Sequence, residues 1–147
     1  MRLSQKGEYG LLALLELARR WGDRPLQASA IARQRDIPTP YLQQILADLR
    51  RAGLVASERG PRGGHALSRS PAEITLLEAV EALEGDISPA PCTGPGAGPG
   101  CPQRERCVLQ EVWRRLDQSA RAVLAGVTLE SLARREEERD GAPMYHI

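Results

Sequence analysis

Apolar residues along this chain keep a helical rhythm in several separate stretches, with one strand-like interlude. Over residues 4–20, Tyr9, Leu11, Leu12, Leu14, Leu15, Leu17 and Ala18 crowd one broad side of a helical wheel, and Ser4 stands where it can cap the first turn. Trp21-Gly22-Asp23-Arg24-Pro25 reads as a turn, after which a short helix over 28–35 carries Ile31 and Ala32 inward. Asp36-Ile37-Pro38 separates it from a third helix with Thr39 as N-cap and Pro40 in the first helical position, where a missing N–H costs nothing. In that helix Tyr41, Leu42, Ile45, Leu46 and Leu49 repeat at i, i+3/i+4, and Gly53 ends it. Leu54-Val55-Ala56-Ser57 and His65-Ala66-Leu67-Ser68 are strand candidates around a glycine-rich turn, Glu58 to Gly64.

Beyond the hairpin, Thr75-Leu76-Leu77-Glu78 has the spacing of a capping box and opens a helix ending near Gly85, with Leu76, Leu77, Val80 and Leu83 facing the core. The pattern then stops. Nine of the fourteen residues 89–102 are Gly or Pro, so that segment reads as a loop. From 107 to 126 Leu109, Val112, Trp113, Leu116, Ala120, Val123, Leu124 and Val127 take the spacing of a helix that packs against another helix. Thr128 caps a short last helix through Leu132; residues 134–140 are highly charged, and 141–147 read as loosely held. The chain therefore reads as mainly α with a small β-wing. A winged helix-turn-helix unit over 1–85 is followed by a cysteine-bearing loop over 86–106. A long dimerisation helix and a short helix then occupy 107–133, before a charged tail over 134–147.

Charge sharpens this division. Of 147 residues, the first seventy hold 12 Lys+Arg against 6 Asp+Glu (+6), and residues 71–147 hold 8 against 13 (−5). A basic leading half with an acidic trailing half suits a DNA-binding head joined to a sensing or assembly part. No apolar run is long enough for a membrane span or a signal peptide, so a cytoplasmic protein is expected. His65 and His146 are the only histidines, and no nucleophile–base spacing appears, so an enzyme is not expected.

A helix presenting amides and arginines, followed by a basic hairpin, has the outline of a winged helix-turn-helix. Gln43 and Gln44 occupy its first turns, where recognition helices meet base edges, and glutamine can bond adenine bidentately. Thr39 and Tyr41 can reach phosphates or a thymine methyl, and Arg50 lies on the same polar side. Arg59 and Arg62, set among Gly60, Gly63 and Gly64, can grip phosphate or enter a minor groove. The plainer alternative is a solvated helix face and an ordinary hairpin.

Three cysteines, Cys92-x8-Cys101-x5-Cys107, supply the other chemistry. Thiolates are soft ligands suited to iron–sulfur clusters, zinc or Cu(I). Two of them lie in a glycine-rich loop whose backbone N–H groups could bond cluster sulfides, and the third stands where the long helix begins and its dipole favours negative charge. The spacing leaves open a metal site, a thiol redox switch or three unrelated thiols.

The opening Met-Arg-Leu-Ser-Gln-Lys-Gly-Glu-Tyr, the Tyr41-Leu42-Gln43-Gln44-Ile45-Leu46 helix, the Gly53-Leu54-Val55 exit and the wing Arg59-Gly60-Pro61-Arg62-Gly63-Gly64 are similar to the winged-helix regulators typified by IscR and NsrR. The similarity continues through Ile74-Thr75-Leu76 and the cysteine region to about residue 133. The resemblance implies a homodimeric transcription regulator that binds a palindromic double-stranded operator and senses iron–sulfur status, redox state or nitric oxide. It implies a cluster on Cys92, Cys101 and Cys107, two-iron in the first instance and four-iron as the alternative. The IscR pattern places a histidine ligand three residues after the third cysteine, but this chain has Gln110 there. The NsrR pattern places an aspartate in the first helix, which reaches the partner's loop; Glu8 holds that place here. Glu8 is accordingly the expected fourth ligand, with His65, Glu105, Glu111 and His146 as alternatives.

Overall fold

Ser4 starts the first helix as the sequence predicts: its hydroxyl accepts from the Gly7 N–H at 3.0 Å, opening α1 (Gln5–Arg19). The computed structural model describes residues 2–96, 98 and 101–141, so His146 and the expected loose tail over 142–147 lie outside the described residues. α2 (Ala28–Arg35) ends at Asp36, whose left-handed backbone (φ 52°) turns the chain into α3 (Thr39–Arg51). The N-cap of α3 is Pro38, not Thr39: the Pro38 carbonyl already accepts from the N–H groups of Tyr41 (3.1 Å) and Leu42 (3.0 Å). The helix therefore starts one residue early, without a side-chain cap, and Pro40 sits within its first turn.

Strands β1 (Val55–Glu58) and β2 (Gly64–Leu67) pair antiparallel in the register Val55↔Leu67 to Glu58↔Gly64. Each lies one residue nearer the turn than predicted. Leu54 is spent elsewhere: its N–H closes the end of α3 on the Leu49 carbonyl at 3.0 Å, and its side chain is buried. Leu26 joins the wing through a bridge to His65, and the approach at Gly64 is so close that a Cβ there would strike the Leu26 carbonyl.

α4 (Leu76–Glu84) opens with the Thr75–Glu78 capping box complete in both directions. Val80 and Leu83 are buried, while Leu76 and Leu77 are only half-buried. The long helix α5 (Val108–Ala125) follows the loop, and α6 (Leu129–Gly141) returns to the head. Backbone bonds from Leu76 N–H to the Val127 carbonyl (2.8 Å) and from Leu129 N–H to the Ile74 carbonyl (3.0 Å) anchor that return.

The last helix does not end at Leu132. It runs thirteen residues and packs on α1, with Leu129 and Ala133 buried in the same core as Leu14, Ile31, Leu42, Ile45, Leu46, Leu49 and Ile74. Its charged half is held by long-range ion pairs that local pattern cannot show. Arg35 donates to both oxygens of Glu136 (2.6 and 2.7 Å) and to Glu16 (2.9 Å), while Arg19 reaches Asp140 at 2.9 Å.

Candidate nucleic-acid interface and cysteine loop

The polar side of α3 is built around one neutralised carboxylate. Asp48 meets Lys6 of α1 at 2.7 Å and is also bonded by Arg51, and the Lys6 contact holds its carboxyl below the usual range. An aspartate that would repel phosphate is thereby cancelled. Gln43, Gln44 and Arg50 remain exposed, the Gln44 amide making only a long 3.5 Å contact to Asp48. Tyr41 is exposed as well, its ring edge-to-face with Tyr9 of α1 at 5.7 Å, and Thr39 is half-buried at the start of the helix.

The wing is braced across its own two strands. His65 shares a 2.9 Å hydrogen bond with Ser57 across the strands. Burial first, and the nearby positive Arg50 second, hold its imidazole below the ordinary histidine range, so it is neutral at neutral pH. Arg59 and Arg62 stand exposed on the turn, and neither makes an ion pair among the described residues. Lys6, Arg19, Arg35, Arg51 and Arg69, by contrast, are all paired with carboxylates. Arg50, Arg59 and Arg62, which the sequence singles out for DNA, are thus among the cations left without an ion pair among the described residues.

The cysteine loop is looser in its arrangement. Cys92 is half-buried, Cys101 exposed, and Cys107 half-buried as the N-cap residue of α5. All three thiols are free, and no group of three His, Cys, Asp or Glu side chains converges as a metal site among the described residues. Glu8 is exposed in the first turn of α1, so within one chain it is not assembled with the cysteines. Gln110, one turn into α5, is 8% exposed, and its Nε2 has no hydrogen-bond partner. It lines an open groove of about 600 Å³ with Cys101, Pro102, Arg104, Glu105 and Arg106.

Beside that loop α5 shows an inverted pattern. Its buried residues are Gln110 and Asp117, whereas Val108, Leu109, Val112, Leu116 and Val123 are exposed, from 50% to 80%. No helix of the described residues is long and apolar enough to cross a membrane.

Sequence reasoning missed three long-range ionic links. Lys6–Asp48 neutralises a carboxylate of α3, Arg35–Glu136 fastens α6, and Arg121 of α5 gathers Glu81, Asp86 and Asp117. Only the Asp117–Arg121 spacing of i, i+4 is visible in the sequence.

Comparison with known proteins gives this arrangement a context. The family model for Rrf2, described as an iron-dependent transcriptional regulator, matches residues 3–135. The transcriptional regulator CymR of Bacillus subtilis is 35% identical over 147 residues, the full length of both chains. The solved structure of T. potens IscR superposes with a TM-score of 0.78 at 32% identity, covering 99% of this chain and 95% of that one. An oxidized form of Staphylococcus aureus CymR superposes with a TM-score of 0.70 at 31% identity, covering 90% and 96%. By its matching family model and these full-length relatives, the chain belongs to the Rrf2 family of winged-helix transcriptional regulators.

Proposed function

We propose that two copies of this chain, joined along the apolar side of α5, bind a palindromic operator and respond to the state of the cysteine loop. The observation that carries the DNA-binding half is the set of unpaired polar groups on one surface: Gln43, Gln44, Arg50, Arg59 and Arg62 are all exposed on α3 and the wing. Glutamines in the groove read base edges, arginines on the wing hold phosphate or a narrow minor groove, and Thr39 and Tyr41 flank them. Paired half-sites about one helical turn apart match a two-fold dimer.

The loop's donor set fits an iron–sulfur cluster chemically: Cys92, Cys101 and Cys107 are free thiols, and the buried Gln110 Nε2 is an N–H donor without an acceptor beside Cys101. Those cysteines would hold the cluster, two-iron in the first instance, with Glu8 of the other copy as the remaining ligand. When bound, the cluster supplies a centre that reacts with oxidants and nitric oxide. Everything else falls to the chain: Cys107 fixes the loop to the start of α5, and Gln110 donates a hydrogen bond toward the site.

Two observations favour a second reading, a thiol switch or zinc site. The cysteines do not converge among the described residues, and a relative of similar fold is known in an oxidized form.

A visible spectrum of the full chain purified without oxygen separates these readings. Sulfide-to-iron charge-transfer bands, lost in Cys101→Ala, are expected for the cluster; a colourless protein with full thiol titre supports the switch. Glu8→Ala should weaken the bands while leaving the thiol titre intact. An unchanged spectrum would return Glu8 to an ordinary carboxylate at a helix start.

A further inference from the structure

We propose that Arg121 is the positioning residue through which the cysteine loop acts on the DNA-reading head, an inference that rests on the sensing role proposed above. One planar guanidinium serves three elements. Its Nε donates to both oxygens of Asp117 on α5 (3.1 Å each), Nη1 bonds Glu81 of α4, and Nη2 donates to Asp86 (3.1 Å) and Ser88 (3.3 Å). Within that set, the bond to Glu81 ties α5 to α4, and the bond to Asp117 fixes the guanidinium on α5. The bonds to Asp86 and Ser88 reach the chain that leads into the cysteines. A rigid five-donor fork can do this, whereas a point charge cannot.

The loop rests on that cluster. Asp86 accepts from both the N–H and the hydroxyl of Ser88 (3.1 and 2.7 Å), and a Cβ on Gly94 would strike Asp86 and Ser88. Cys92 lies within a turn closed by Thr93 N–H and Oγ1 on the Ala90 carbonyl (3.0 and 2.9 Å), and Gly94 follows that turn directly. A change at Cys92 that moves this turn must move Gly94 off its seat or drag Asp86 with it.

α4 also bears on α1 of the head. Glu84 accepts from the N–H and hydroxyl of Ser4 at the start of α1 (3.0 and 2.6 Å), and Leu83 packs where only a glycine, Gly10, leaves room. From α1, Lys6 holds Asp48 and Tyr9 meets Tyr41, both on α3. Among the described residues, direct contacts thus run from the seat of Gly94 to α3, and Arg121 joins loop, α4 and α5 at a single guanidinium. Its removal would also leave Glu81, Asp86 and Asp117 facing each other without a cation.

The test measures coupling rather than affinity. A duplex is selected from a randomised pool by the wild-type full-length chain. Its Kd is then measured with the cysteines reduced under nitrogen and with them blocked by N-ethylmaleimide. For wild type the two values should differ by about fivefold or more. In Arg121→Gln and in Gly94→Ala the ratio should fall to within about twofold, with the dimer mass and the reduced-state Kd retained. Should Arg121→Gln not yield a folded dimer, Gly94→Ala and Asp86→Asn, neither of which lies on α5, decide the matter. Retention of the wild-type ratio by a folded variant overturns the role given to Arg121. A wild-type ratio near one is a different failure: the cysteine loop then does not govern DNA binding, and the inference falls with that reading.

Discussion

The head and α5 solve the same packing problem in opposite senses. In α3 the apolar residues Leu42, Ile45, Leu46 and Leu49 are buried and the glutamines face water. In α5 it is Gln110 and Asp117 that are buried, and Leu109, Val112, Leu116 and Val123 that face out. Both helices have a clean apolar stripe, so periodicity alone does not tell which side the rest of the chain will cover. The lesson is energetic. Exposed side chains of this size forgo about 1.5–3 kcal/mol each relative to burial, and the interface proposed for α5 would recover it. The buried polar residues point the same way: Asp117 is bonded by Arg121, while the Gln110 amide nitrogen is left without a partner.

The largest effect should come from destroying the outward stripe. Leu116→Lys together with Val123→Lys places charge where the second copy would sit, and light scattering should give the monomer mass. Binding to a duplex with paired half-sites should fall by more than about a hundredfold, since the second half-site is no longer held at high effective concentration. Circular dichroism should change little, because neither side chain contributes to the buried core. A dimer that survived would make α5 a brace for α4 and remove the contrast with the head.

Next in size is the ionic seal of the head. Arg35, half-buried, binds the buried Glu16 and the partly exposed Glu136, so Arg35→Ala leaves two carboxylates without their main partner. Breaking a buried pair from one side costs about 3–5 kcal/mol. Because Glu136 is itself partly exposed, a value near the lower end is expected from urea unfolding. The pH dependence has a definite sign. Arg35 holds the Glu136 carboxyl below its ordinary value, so its contribution is complete above the unfolded glutamate pKa and is lost as pH falls through the lower folded one. Wild type should lose stability relative to Arg35→Ala in that acid window. Parallel curves would show that the Arg35–Glu136 pair does not stabilise α6.

The outward amides of α3 should matter for choice of sequence more than for stability. Gln44→Ala removes an exposed side chain whose one hydrogen bond among the described residues is 3.5 Å long, so the unfolding midpoint should stay in place. Discrimination at one base pair of the selected operator should drop by about 1–3 kcal/mol, read from binding to singly substituted duplexes. An unchanged preference at every position would take Gln44 out of the groove.

How far the sequence could be read follows the range of the interactions. The caps Ser4 and Thr75, the breaks at Asp36 and Gly53 and the whole of α2 are set by neighbours within four residues, and their positions were legible. The wing slipped by one residue because Leu54 closes α3, a choice between two local bonds that pattern does not weigh. The extent of α6 was illegible: residues 134–140 look like a solvated tail until Arg19 and Arg35, about a hundred residues away, supply partners. The residues proposed to face DNA were named from chemistry alone. That Asp48 beside them is neutralised could not be read, since it depends on where Lys6 and Arg51 go.

The smallest expected effect is also the one that tests the inverted helix most directly. Gln110→Leu keeps the size of the side chain and removes an amide nitrogen that is buried without a partner. In an isolated chain that amide pays desolvation without compensation, so an apolar replacement should stabilise, by about 1 kcal/mol, the lower end of the cost of a buried unsatisfied group. The double lysine variant of Leu116 and Val123 supplies such a monomer, and its urea midpoint with and without Gln110→Leu gives the intrachain value. The same substitution in the dimer, measured with the cysteines reduced and metal removed, then asks whether the second copy satisfies the amide. If it does, the sign should reverse, because leucine would break a hydrogen bond made across the interface. If the dimer is stabilised as the monomer is, the partner does not reach Gln110, and its amide is left free to face the groove beside Cys101. Destabilisation in the monomer as well would mean that Gln110 finds a partner within its own chain, and the contrast between head and α5 would then rest on the apolar stripe alone.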